Sequence, residues 1–221
     1  MLNTELKRAL SAYLSEHEIV SDAQPLLIDQ RRRYQGKADL VVQPETVAGV
    51  QAVMRYCFKN CIPVTPQGGN TGLCGAAVPQ DGVLLNLSRL NHIRNINLAD
   101  NVITVDAGCV LHQVQESAKK AGRLFPLSLA SEGSCQIGGN IACNAGGLNV
   151  VRYGTMRDLV LGLEVVLPNG ELDTHLQPLH KNTTGYDLRH LCIGSEGTLG
   201  IVTGATLKLF ALPQTVETAW V

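Results

Sequence analysis

Leu2, Leu6, Leu10 and Leu14 recur every fourth residue through a stretch that also carries Glu5, Lys7 and Arg8. A spacing of four puts apolar side chains on one face, so residues 1–13 are expected to form an amphipathic helix and not a signal peptide. Residues 25–36 are polar and rich in arginine (Arg31, Arg32, Arg33), the pattern of a solvated surface loop. A short apolar run at 39–42 ends before Pro44, and Thr46 stands where it can cap a helix reaching about Asn60. Val50, Val53, Met54 and Cys57 share one face of that helix, and residues 62–65 form a second apolar run. Strand, helix and strand in so short a span predict a βαβ unit and a small parallel sheet.

Further apolar runs at 83–87, 93–98 and 102–107 predict strands, with Ala99-Asp100-Asn101 as a tight connection between the last two. Residues 110–121 predict a helix closed by Gly122, at the position where helices commonly take a left-handed residue. Residues 161–167 and 171–174 flank Pro168-Asn169-Gly170 as a hairpin, and 200–210 form a last, partly alternating strand. The fold class predicted is α+β, in two α+β subdomains covering about 36–90 and 91–213. The first is built on a small parallel sheet and the second is mainly antiparallel. Residues 1–35 are an N-terminal helix and loop, and 214–221 read as the start of a link to a further domain.

With 221 residues, 45% hydrophobic and 17% charged, the chain has ample apolar material for a core. A net charge of −1 advertises neither nucleic acid nor an anionic membrane, and 4% aromatic residues argue against base-stacking platforms. No run is long and apolar enough to span a bilayer. Cysteines 57, 61, 74, 109, 135, 143 and 192 are odd in number and scattered, without a CxxC pair, which reads as reduced thiols in a cytoplasmic protein. Cys57 and Cys61 share a helical face, but no matching histidine pair follows, so no metal site is assigned. The six histidines all fall outside the glycine-dense segments and read as surface or loop groups, His112 on a helix surface among them.

Glycine placement carries the chemistry. Pro66-Gln67-Gly68-Gly69-Asn70-Thr71-Gly72-Leu73-Cys74-Gly75 directly follows the predicted strand at 62–65. Such a run lets backbone approach a ligand closely and turns N–H groups inward, as a pyrophosphate requires. Neither a GK[ST] loop nor a GxGxxG opening a helix is present. Residues 131–147 are dominated by small side chains, held from floppiness by Ile137 and Ile141, and suit a wall against which a flat ring lies. Ser134, Asn140 and Asn144 offer polar contacts there. A third run, 194–202, precedes the last strand and is positioned by it. Together the three favour a large ligand with phosphates and a planar ring.

These residues resemble a known family. The phrases are 66–75, Gly133-Ser134-Cys135-Gln136-Ile137-Gly138-Gly139-Asn140, Asn144-Ala145-Gly146-Gly147, Arg152-Tyr153-Gly154, 162–166, Asn182-Thr183-Thr184-Gly185-Tyr186-Asp187-Leu188 and 194–200. In this order they resemble the FAD-binding domain of the vanillyl-alcohol oxidase/p-cresol methylhydroxylase type, within the FAD-linked oxidase superfamily. The likeness is greatest to D-2-hydroxyglutarate and D-lactate dehydrogenases and the glycolate oxidase FAD subunit. It runs from about Gly36 to Pro213.

The resemblance implies FAD as cofactor, with residues 67–72 around the pyrophosphate, 131–147 beside the ribityl chain and isoalloxazine, and Gly197 and Ile201 on the adenosine side. The implied cofactor-binding set is Pro66, Gln67, Gly68, Gly69, Asn70, Thr71, Gly72, Leu73, Ser131, Gly133, Ser134, Cys135, Gly138, Gly139, Asn140, Cys143, Asn144, Ala145, Gly146, Gly147, Glu196, Gly197 and Ile201. Some relatives attach FAD through a histidine in the first loop. Here that loop has none, and Cys74 and Cys135 are the only nearby thiols, so FAD is expected to be held non-covalently.

The reaction implied is oxidation of a small D-2-hydroxy acid such as D-lactate, D-2-hydroxyglutarate or glycolate. Electrons would pass to a quinone, cytochrome or electron-transfer flavoprotein, with a homodimer left open. In such relatives the substrate residues and a metal-binding histidine cluster lie in a C-terminal cap domain. Nothing here resembles that cap, so no catalytic residue and no metal ligand are assigned, and the chain alone is expected to be inactive. Other readings on the same fold are an alditol or sugar oxidase, an enolpyruvyl sugar-nucleotide reductase, or a non-catalytic module. The phrase at 182–188 followed by 194–200 favours the 2-hydroxy acid. Arg152 is open to two roles, near the flavin or in a structural ion pair, and Lys181 is undecided between a flavin contact and a loop cap.

Overall fold

A computed structural model describes residues 2–217 and 219. In chain order the elements are α1 (Leu2–Leu10), β1 (Leu40–Val42), α2 (Val47–Lys59), β2 (Val64–Gln67), β3 (Val83–Asn86), β4 (Ile93–Asn97), β5 (Val102–Asp106) and α3 (Leu111–Lys120). There follow β6 (Arg123–Leu124), α4 (Ile137–Ala142), α5 (Val150–Tyr153), α6 (Met156–Leu159), β7 (Val160–Val166), β8 (Leu172–His175), α7 (Arg189–Cys192), β9 (Ile201–Lys208) and β10 (Phe210–Ala211). The α+β class and the division into a small parallel and a larger antiparallel sheet match the sequence expectation.

The first sheet has the order β1-β3-β2, with both pairings parallel. β3 lies between the two runs that predicted the βαβ unit, and its four residues are all buried. A parallel strand covered on both faces reads as such a continuous apolar run. β2 starts two residues later than the apolar pattern indicated and takes in Pro66 and Gln67. Its place at the sheet edge accommodates a proline, which has no N–H to give to the ladder. The second sheet runs β4-β5-β9-β7-β8, antiparallel throughout, so the last long strand lies between two strands formed much earlier in the chain. The stretch predicted as one strand over 200–210 is two: Phe210 and Ala211 leave β9 to pair with β6.

One core joins both sheets. Leu6, Leu10 and Leu14 are buried against it, as the spacing of four requires, together with Val50, Val53 and Cys57 of α2. Thr46 caps α2 as predicted, its Oγ1 accepting from Gly49 N at 3.1 Å. Cys57 and Cys61 do not converge: the first is buried, with its thiol pushed up to about 11 by burial, and the second is exposed.

Two buried polar clusters tie elements together. Glu18 accepts from Ser15 N (2.8 Å), Ser15 Oγ (2.5 Å) and Glu45 N (2.8 Å), fixing the N-terminal segment to the start of α2. Burial pushes the Glu18 carboxyl up, but the hydrogen bonds from Ser15 and Glu45 and the nearby His17 outweigh it, and its pKa lies below the ordinary 4.5. A depressed folded-state pKa gives stability that is full above the unfolded value and lost as pH falls through the folded one. Glu18→Gln is therefore expected to lower the thermal midpoint at neutral pH, with the gap to wild type closing as pH drops below 4.5. A gap independent of pH would refute that account.

The second cluster lies within the antiparallel sheet. Arg94 Nε donates to Asp106 Oδ1 at 2.5 Å, and its two Nη atoms donate to Glu164 at 2.7 and 3.2 Å. Thr203 Oγ1 donates to Glu164 Oε1 at 3.0 Å, and His92 N donates to Asp106 Oδ2 at 2.9 Å. Gly204 lies under the guanidinium, where a Cβ would come within 2.9–3.1 Å of it. Burial opposes the charge on Arg94, but the two carboxylates outweigh burial and raise its pKa.

Candidate functional site

The three glycine-dense segments meet in one cleft. Its walls are 66–74 with Ala76 and Ala77, the cleft-facing side of α4, and 195–202, with Leu87, Ala107 and Leu129 between them. Counted out to its open mouth, the hollow is ≈ 1390 Å³.

The first wall is held rigid by its own side chains. Gln67 Nε2 donates to Leu26 O and Ala77 O, both at 2.9 Å, and its Oε1 accepts from Asn86 Nδ2 at 2.9 Å. Asn70 takes a positive φ of 51° and donates from Nδ2 to Ile28 O at 2.8 Å. These two amides are spent on the protein, leaving the backbone of the loop to face a ligand. Gly69 is required by contact, since a Cβ there would stand 2.0 Å from Ser134 O.

The second wall contains a helix that the glycine content concealed. In α4, Ile137 and Ile141 enter the core, while Gly139 and Asn140, with the N-cap Gln136 and the C-cap Cys143, face the cleft. Gly138 packs on the residue just after β5, where a Cβ would meet that of Ala107 at 2.7 Å. Ile137 N and Gly138 N donate to Cys109 O (3.0 Å) and Ala107 O (2.7 Å). The opening turn of α4 thus spends these donors on the protein and differs from a Rossmann helix, whose N-terminus holds phosphate.

The third wall docks on the end of α4. Gly194 N and Glu196 N donate to Ile141 O (3.1 Å) and Ala142 O (2.9 Å), filling carbonyls that a helix end leaves open. Gly197, at φ 80°, lies against Pro66, where a Cβ would approach Cγ to 2.4 Å. Arg157 anchors the approach to this wall, donating to His190 O at 2.7 Å and Ile193 O at 2.5 Å.

Of the residues expected from sequence, Pro66 to Leu73, Ser131, Gly138, Gly139, Asn140, Cys143, Ala145, Glu196, Gly197 and Ile201 line the cleft. Gly133, Ser134, Cys135, Asn144, Gly146 and Gly147 are not among the lining residues. Cys135 is buried, Asn144 Oδ1 accepts from Arg157 N at 2.9 Å, and Gly147 at φ 95° lies against Ser128 O. Sequence reasoning left out Cys74, Ala76, Ala77, Leu87, Ala107, Leu129, Gln136, Ala142, Ser195, Gly200 and Val202. Gln136 had a signal, since the two isoleucines four apart mark a helix whose other face includes it. Leu87 and Ala107 had none, being strand ends brought here by the sheets. Arg152 is exposed and outside the described lining, makes no ion pair among the described residues, and sets its guanidinium 5.8 Å from the Tyr153 ring. Lys181 is exposed as well.

Glu196 is the one formally charged side chain among the described lining residues. Burial first, then Glu196 and Cys74, raise the Cys143 thiol above its ordinary pKa. Beyond Gly72 and Gly139 the space where a Cβ would stand is open. Two buried lining atoms, Gln136 Oε1 and Asn140 Nδ2, have no hydrogen-bond partner among the described residues. An open glycine cradle, apolar surfaces from Leu73, Leu87, Leu129 and Val202, and unfilled amide groups fit an extended ligand with phosphate, polyol and ring portions.

Residues 38–174 match the model of the FAD binding domain family. The chain belongs to that family. Its cofactor is FAD, as the glycine motifs implied. Over 194 residues this FAD-binding domain is 42% identical to the mitochondrial D-2-hydroxyglutarate dehydrogenase of Danio rerio, covering 87% of this chain and 36% of that one. It is 39% identical over 201 residues to the putative mitochondrial D-lactate dehydrogenase C713.03 of Schizosaccharomyces pombe, covering 90% and 38%. Among solved structures, an alkyldihydroxyacetonephosphate synthase superposes with a TM-score of 0.85 at 23% identity, covering 96% of this chain and 41% of that one, a likeness of fold. The FAD-binding domain thus spans less than half the length of the curated relatives it matches.

Both curated relatives are mitochondrial by name, which corrects the expectation of a cytoplasmic protein. That expectation rested on unpaired thiols and the character of the first helix. Neither distinguishes one reducing compartment from another.

Proposed function

We propose that this chain is the FAD-holding part of a flavin dehydrogenase acting on a small D-2-hydroxy acid, and that it grips FAD without a covalent bond. The observation that carries the reading is the single cleft in which all three glycine segments meet, with amides and backbone but no histidine on its described lining. The cofactor would lie between a subdomain of about 36–90 and one of about 91–213. Backbone of 68–72 would face the pyrophosphate, the α4 wall the ribityl chain and ring, and Gly197 and Ile201 the adenosine. Glu196 repels phosphate and accepts from hydroxyls, so it suits the ribose diol at that end.

When bound, FAD accepts a hydride from the carbon bearing the substrate hydroxyl. This chain's own part is to bind, orient and shield it. D-2-hydroxyglutarate and D-lactate take precedence over glycolate because the relatives' names carry the former two. Faster turnover of the D- than the L-enantiomer by the flavin-loaded parent enzyme checks that preference, and the reverse order refutes it.

Thiol footprinting tests the cleft directly. Cys74 and Cys143 line it, whereas the exposed Cys61 does not. FAD well above its Kd is expected to slow alkylation of Cys74 and Cys143 at least about tenfold and to leave Cys61 unchanged. Unprotected Cys74 and Cys143 in the flavin-bound protein would place FAD elsewhere.

A further inference from the structure

Residues 28–35 form a finger laid along the first glycine wall. Ile28 bridges Gln35 as in an antiparallel pair, and Asp29 N donates to Tyr34 O at 3.0 Å. The buried Asp29 carboxylate accepts from Arg31 N (3.1 Å) and Tyr34 N (2.7 Å), which folds the tip back on itself. Both legs touch the wall: Ile28 O accepts from Asn70 Nδ2 at 2.8 Å, and a Cβ on Gly75 would come within 2.9–3.2 Å of the Tyr34 ring. The tip is Arg31-Arg32-Arg33, all three exposed and none in an ion pair among the described residues. Arg32 holds a φ of 56°, where glycine or asparagine is the ordinary occupant, so the tip keeps an arginine against its backbone preference.

We infer that Arg31, Arg32 and Arg33 draw the dianionic pyrophosphate of FAD to the cleft by their charge, setting how fast the cofactor is captured without touching it once bound. The inference rests on the cleft being the FAD site. A pyrophosphate brings its negative charges to a cleft whose one formally charged lining side chain among the described residues, Glu196, is itself negative. The chain as a whole, at a net charge of −1, offers no general attraction either. Backbone N–H groups act at hydrogen-bond range, whereas a charge is felt over about 8 Å at physiological salt. The three arginines lie outside the lining, on the wall assigned to the pyrophosphate, so they supply the field while the glycine backbone supplies the contact. Asp29 offsets part of their charge, and the exposed Lys37 just beyond the finger adds to it. A local cluster of one sign beside a cleft raises the capture rate of an opposite ion by about 10–10³-fold.

Stopped-flow mixing of the ligand-free 221-residue chain with FAD, followed by flavin fluorescence, tests this. The triple variant Arg31→Gln, Arg32→Asn, Arg33→Gln removes the charge and keeps at position 32 a residue that tolerates the left-handed conformation. At low salt its association rate constant should fall about tenfold, with the dissociation rate constant within about twofold of wild type. At about 1 M salt, where the screening length is ~3 Å, the two association rates should converge. Arg31→Lys, Arg32→Lys and Arg33→Lys together should keep the wild-type rate, because steering reads charge and not the guanidinium fork. Equal low-salt rates in wild type and the neutral variant, or a gap that persists at high salt, would overturn the inference. So would a lysine variant as slow as the neutral one, or a loss carried mainly by faster dissociation, since either puts the arginines in contact with bound cofactor. A wild-type chain that binds no FAD would sink the cleft reading along with this one. FAD binding at rates indifferent to these charges would sink this one alone.

Discussion

Gly69→Ala is expected to strip the chain of FAD. The added methyl would stand 2.0 Å from Ser134 O and 3.0 Å from its carbonyl carbon, both backbone atoms that no rotamer change can move aside. Relief requires parting the first glycine wall from the turn at 131–135. Overpacking of this kind costs about 1–3 kcal/mol of stability. The parted wall should weaken FAD about 100-fold, corresponding to about 2.8 kcal/mol. Gly139→Ala makes the sharp comparison. A Cβ there meets nothing within 4 Å, and the residue lies inside α4. Alanine should stabilise the ligand-free helix by up to about 1 kcal/mol. The same methyl projects into the cleft and should still impair FAD binding. Titration with FAD and thermal unfolding of both variants separate the two effects. Normal FAD affinity in Gly69→Ala, or a destabilised Gly139→Ala, would contradict the close approach on which the site is built.

The second large effect is expected at Arg94. Its side chain is 27% exposed, while those of Asp106 and Glu164 are 5% and 9% exposed. Arg94→Met leaves two buried carboxylates facing each other across the sheet without a counter-charge. Breaking a buried ion pair from one side costs about 3–5 kcal/mol, and partial exposure of the arginine argues for the lower end, about 3 kcal/mol. That is a large share of the ~5–15 kcal/mol typical of a folded domain. Urea unfolding should show it as a lower midpoint with an unchanged slope. Neutralising the carboxylates as well, by Asp106→Asn and Glu164→Gln, should restore part of the loss. A charge-independent loss, equal in the single and triple variants, would assign the effect to packing instead. FAD should weaken too, because Asp106 and Thr203 precede and follow the cleft residues Ala107 and Val202.

Much of this architecture was legible in the chain because local physics and the fold agree. Leucines spaced by four, the Thr46 cap, the left-handed Gly122 and the apolar runs each carry their meaning within a few residues. What escaped was set by distant contacts. α4 was hidden because Gly138 and Gly139 depress helix propensity, while their value lies in the approach of Ala107 and the open cleft. Gln67 and Asn70 stood out as loop residues near a ligand. That their amides are spent on Leu26, Ala77 and Ile28 follows only from the N-terminal segment folding over the loop. Leu87 and Ala107 reach the cleft through strand pairing, and no motif marks them.

The position of β9 between β5 and β7 has a consequence for how the protein is made. A ribosome releases the first glycine wall early and residues 195–202 near the end of this stretch. Until β9 slots between its two waiting neighbours, the sheet is divided and the third wall lacks the strand that continues it. At about 5–20 residues per second, the nascent chain spends several seconds with two walls out of three. Cofactor capture therefore waits for β9, and a shortage of flavin at that moment would meet a chain with its central strand only just in place.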